Sequence, residues 1–174
     1  MSEGDERVKS LGVAGMALAL DVWEADGWYS GVTLDAEGLE CVEFTPQYFF
    51  SESPAVSPKA TFRHELKAFE MAMGLAISNL MSRTVIGRGA SLTRRDRERL
   101  LDTFAEEGRE ELSLNSGETS RLFGKAFDFL EQIYANTTVR QMVEQVATAL
   151  QRERHLSSLQ LHDLLAPLRS GSSF

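Results

Sequence analysis

The chain has 174 residues, 43% hydrophobic and 25% charged, with a formal net charge of −8 and a sequence pI near 4.9. That length supports one well-buried core and is short for two domains. The acidic balance weighs against non-specific binding to DNA, RNA or anionic lipid, and the single cysteine, Cys41, excludes an intrachain disulfide and cysteine-rich zinc motifs.

Residues 1–6 are expected to be disordered. The apolar run 11–20 is too short to span a bilayer. Its leader, MSEGDERVKS, sets Glu3, Asp5 and Glu6 against Arg7 and Lys9, unlike the positive start of a secretory signal. The expected location is therefore cytoplasmic, with no membrane association. Val8, Leu11, Gly15, Leu18 and Val22 share a helical stripe, and the alanines favour helix over strand for residues 7–25. Gly27 is the expected terminator. Residues 28–34 and 39–45 read as two short strands flanking the turn-forming Asp35-Ala36-Glu37-Gly38. Residues 46–58 hold three of the four prolines and read as a loop.

The second part of the chain has helical periodicity. Ser57-Pro58 offers an N-cap followed by proline at the first helical position. Phe62, Leu66, Phe69, Met73, Ile77, Leu80 and Met81 then recur at helical spacings. The stretch MAMGLAI is apolar on nearly every side, which marks a central buried helix. Thr93 with Asp96 starts a second helix, running to about Glu107 before Gly108. Asn115 with Glu118 starts a third, whose core face is Leu122, Phe123, Ala126, Phe127, Leu130 and Tyr134. A fourth starts at Thr137 and buries Val139, Met142, Val143, Val146 and Leu150. Ser157 with Gln160, and Leu156 set to staple onto Leu161, starts a fifth that Pro167 ends. The tail from residue 170 is expected to be loose. The predicted fold is mainly α: one domain, a bundle of about five helices, with a small N-terminal antiparallel β-hairpin packed on residues 57–168.

Motifs for chemistry are absent. His64-Glu65 opens like HExxH, but the position of the second histidine is Ala68, and both imidazoles are needed on the metal. His155 and His162 are seven residues apart, and no metal or cofactor is expected. Cys41 stands between Glu40 and Glu43, whose carboxylates disfavour a thiolate, so it reads as a buried structural residue. There is no GxSxG, no GxGxxG and no phosphate-loop pattern. No catalytic residue is assigned.

Six arginines, Arg83, Arg88, Arg94, Arg95, Arg97 and Arg99, are interrupted only by Asp96 and Glu98. Arg88, Arg94 and Arg95 are candidates for holding a phosphate near a helix start. Pairing of Arg94 with Glu98 and of Arg99 with Asp96 would absorb part of the charge. LTRRDRERLLDTFAEEG (92–108) resembles the opening helix of LuxR-type helix-turn-helix regulators. The short second helix and recognition helix of that family do not follow at the right distance. ATALQRERHLSSLQLHDLL (147–165) is similar to the last helices of FtsH-type peptidase domains, whose zinc-binding motif this chain lacks.

Aromatics are distributed unevenly: seven of fifteen fall in residues 23–50. Trp28, Tyr48, Phe49 and Phe50 are the candidate interaction residues. In an extended segment Tyr48 and Phe50 would point one way, into the core, and Phe49 the other, towards a partner, most simply a second copy in a homodimer. The expected function is a non-enzymatic intracellular adaptor, chaperone-like or regulatory protein acting by protein–protein contact. The alternatives are an enzyme with a site assembled from sequence-distant residues, or a weak phosphate or nucleic-acid binder through Arg83–Arg99.

Overall fold

The computed structural model describes residues 2–50 and 58–170. The first helix, α1 (Glu3–Val22), starts earlier than composition suggested. Ser2 and Asp5 form a reciprocal capping box, so residues 3–6 are its first turn rather than disordered. It ends on Trp23, before Gly27, which takes a positive φ of 81° in the turn that follows. Between residues 10 and 20 every side chain of α1 is buried. A helix enclosed on all faces reads as apolar all round, which explains its resemblance to a signal core.

β1 (Tyr29–Thr33) and β2 (Val42–Phe44) form the expected antiparallel hairpin, with a 3₁₀ turn over Gly38–Cys41. The sheet has a third strand, β3 (His155–Ser157), in the order β2-β1-β3. Val32 of β1 stands opposite both Val42 and Leu156, and all three are buried.

Eight α-helices are present among the described residues, not about five. α2 (Pro46–Phe49) occupies part of the expected loop, with Pro46 in the first turn, where its missing N–H is not needed. α3 (Pro58–Met81) passes into a π-helical turn over Ser82–Ile86 before Gly87. The expected Ser57 cap lies outside the described residues. Met73 and Ile77 are fully enclosed, as expected of a central helix, whereas Phe62 is exposed because the first turns of α3 extend beyond the core.

α4 (Arg94–Leu112) has the Thr93–Asp96 capping box, a device worth about 1 kcal/mol. It runs through Gly108 instead of stopping there. A Cβ on Gly108 would meet Thr119 Oγ1 at 2.8 Å and Phe69 Cζ at 3.2 Å, so this glycine serves close packing. α5 (Ser116–Tyr134) and α6 (Thr137–Glu153) begin at the expected residues. α7 (Ser158–Leu164) has the expected Ser157–Gln160 box, but Pro167 does not end it. Pro167 lies in the first turn of α8 (Ala166–Ser170).

α1 and α3 are the inner helices. α1 packs on α3 and α6, α3 also meets α4 and α5, and α7 covers β1. No helix among the described residues is long and apolar enough to cross a membrane.

Candidate functional site

The hairpin, α2 and the first half of α3 bring the aromatic candidates together. Thr45 Oγ1 donates to the Gly27 carbonyl, holding the chain as it enters α2. Tyr48 stacks on Phe44 with centroids 3.9 Å apart and meets Trp28 edge-on at 5.8 Å. The Trp28 ring also faces His64 at 5.0 Å, and Lys67 Nζ lies 4.8 Å from its centroid. His64 Nε2 is 2.9 Å from the Tyr48 carbonyl oxygen, so with that nitrogen protonated the imidazole donates to it and ties α2 to α3. Burial pushes the Tyr48 phenol up, helped by the charges of Glu107 and Glu111 from α4.

The half-buried Trp28, Phe44 and Tyr48 form a base, and Phe49 and Phe50 stand above it, 61% and 70% exposed. The expected alternation does not hold. Residues 46–49 are helical, so Tyr48 and Phe50 do not share a direction, and Phe50 is the more exposed of the two phenylalanines. Phe49 meets both Phe44 and Tyr48 edge-on, and among the rings of the described residues Phe50 touches Phe49 alone. The Ser/Glu/Pro stretch that follows lies outside the described residues.

The arginines disperse. Arg94 pairs with Glu98 at 2.8 Å, as their spacing predicts. Arg97 lies over the Phe127 ring at 4.4 Å. Arg88, Arg94 and Arg95 are exposed, and none of the three lines the main cavities among the described residues. Arg83 is half-buried. It was grouped with the others by sequence, and nothing in its local sequence marks it as different.

The remaining titratable residues are separated. His155 Nε2 pairs with Glu43 at 2.5 Å across the sheet. His162 lies on α7, and its carbonyl accepts from Arg169, which also pairs with Asp21. The buried Cys41 thiol donates to the Ala36 carbonyl. Burial raises its pKa, opposed by Lys9 and reinforced by Glu37 and Glu40. This environment suits a structural thiol.

An apolar recess of about 360 Å³ lies between α1, α3 and α5, with Trp23 and Phe129 edge-to-face at 5.6 Å along its wall. Glu70 and Lys125 supply its charges. Comparison with protein-family models, curated proteins and solved structures finds no match for this chain.

Proposed function

We propose that this protein acts by protein–protein contact, as an adaptor, chaperone-like or regulatory binding protein, with the Trp28–Tyr48–Phe49–Phe50 face as its docking surface. The observation that carries this reading is the exposure of Phe49 and Phe50, side by side on a base of three further aromatic rings. Rings held outward by a packed support are pre-organised to bury apolar area against a partner. Glu107 and Glu111 lie close enough to Tyr48 to influence its phenol, and their two charges exceed that of Lys67 over the Trp28 ring. The partner is accordingly a segment that presents apolar side chains with lysine or arginine beside them.

The test uses Trp23→Phe, which leaves Trp28 as the one tryptophan. A synthetic amphipathic Lys/Leu peptide should shift Trp28 emission in a saturable way, and a Glu/Leu peptide of the same pattern should not. The Phe49→Ser/Phe50→Ser double variant should lose the response while keeping its melting temperature. Equal binding of both peptides, or undiminished binding to the double variant, would refute the proposal.

A further inference from the structure

Arg83 leaves the π-helical turn at the end of α3, and its stem crosses α1 at Gly12. A Cβ there would meet Arg83 Cδ at 3.1 Å and Asn79 Nδ2 at 2.8 Å, so the missing side chain makes the passage. Arg83 Nε donates to Asn79 Oδ1 at 2.9 Å, which fixes the plane of the guanidinium. Two cavities of about 390 and 420 Å³ adjoin here, and Gly38, Asn79 and Arg83 line both. Arg99 of α4 lines the larger cavity.

Neither arginine has a carboxylate within ion-pair distance among the described residues. The neighbouring acids have other hydrogen-bond or ion-pair partners, although the charge of Arg99 also acts on Asp96. Glu37 is held by Lys9 at 2.7 Å, Asp5 by Ser2, and Asp96 by the Thr93 backbone N–H. Burial and the like charge of Arg88 hold the Arg83 pKa below its ordinary value, and no anion among the described residues offsets them.

We infer that the cleft between α3, α4 and the 3₁₀ turn binds a small organic acid, with its carboxylate between Arg83 and Arg99 and its apolar body against Leu39, Leu80 and Leu100. Charge selects the head group. Two guanidinium groups share the larger cavity with the Asp96 carboxylate, leaving one net positive charge. A carboxylate monoanion matches that balance, whereas a phosphate dianion would face Asp96. A guanidinium with its plane fixed by one hydrogen bond still offers donors for a bidentate carboxylate contact. Leu39, an otherwise unexplained exposed leucine at 41%, lines the apolar side.

Calorimetric titration of the full chain with octanoate, 1-octanol and inorganic phosphate tests this site. Octanoate should bind, with octanol and phosphate each at least about tenfold weaker, the loss expected when a charge-assisted contact or the apolar contact is missing. Arg99→Gln, at an exposed position, should weaken octanoate at least about fivefold, and Arg83→Gln more, by the same loss of a charged donor. If Arg83→Gln fails to fold, Arg99→Gln decides alone. No octanoate binding at millimolar concentration, equal binding of phosphate, or an unchanged affinity in Arg99→Gln would overturn the assignment. None of these results depends on the aromatic face.

Discussion

The Ser78 hydroxyl donates to the Gly15 carbonyl at 2.5 Å, joining α3 to α1 where both are fully buried. The same hydroxyl lies 2.8 Å from the Tyr134 hydroxyl of α5, and one turn further along Ser82 donates to the Leu11 carbonyl at 2.6 Å. Burial raises the Tyr134 pKa well above its ordinary value, so this phenol stays protonated and can donate to the Ser78 carbonyl. Three helices thus meet through small residues and hydroxyls, each polar atom having a partner.

The contact forbids a side chain at position 15. A Cβ there would lie 2.5 Å from the Ser78 carbonyl oxygen and 2.7 Å from Ser82 Cβ, both fixed by backbone. Gly15→Ala should lower stability in urea by about 3 kcal/mol, the upper range for overpacking, despite the higher helix propensity of alanine. A variant as stable as wild type would mean that α1 and α3 can separate without cost.

Thr119 presents the opposite case. It is fully buried, and its hydroxyl has no hydrogen-bond partner among the described residues. Desolvating a hydroxyl without replacement is costly, and valine has the same shape without that group. Thr119→Val should therefore raise stability by about 1 kcal/mol. A loss of stability on thermal unfolding would show that the hydroxyl is bonded in solution.

Local signals were legible in the sequence where a few residues decide the structure. The boxes at Thr93–Asp96, Asn115–Glu118 and Ser157–Gln160 are each closed by residues three apart, and all three are present. β3 was not legible. It is three residues long, and its partner Val32 lies more than a hundred positions earlier. Gly108 and Pro167 misled because each has two uses. A glycine that ends a helix and one that admits Phe69 look alike in sequence, as do a proline after a helix and one in the next first turn. The aromatic concentration around Tyr48 was visible, but exposure of Phe50 depends on the helical turn over Pro46–Phe49. The distinction of Arg83 from its neighbours needs Gly12 of another helix.

Glu70 provides a pH test. Burial in the recess beside Trp23 raises its pKa, and Lys125 opposes the shift without cancelling it. A carboxyl with a raised folded-state pKa binds its proton more tightly in the native chain. Its contribution to stability is fully present below the unfolded-state pKa and is lost as pH rises through the folded-state pKa. Glu70→Gln should thus be more stable than wild type at pH 7, with the advantage shrinking as pH falls through the raised folded-state pKa and gone below the ordinary glutamate value. An advantage that persisted undiminished at pH 3 would place its cause outside the ionisation of Glu70.

Phe49 and Phe50 separate folding from recognition. Each is mostly exposed, so Phe49→Ser and Phe50→Ser should each change stability by no more than about 0.5 kcal/mol, the usual range for surface substitutions. A second copy of the chain is the competing occupant of this face. Across a two-fold axis, however, the Glu107 and Glu111 side chains near Tyr48 would approach their own images, in a chain that already carries −8. Like charges facing each other oppose association until salt screens them. Sedimentation should therefore show a monomer at low salt and growing self-association as sodium chloride is raised, with either serine substitution reducing it. A stable dimer at low salt, unaffected by salt but broken by Phe49→Ser, would make the second copy the natural occupant and displace the basic partner.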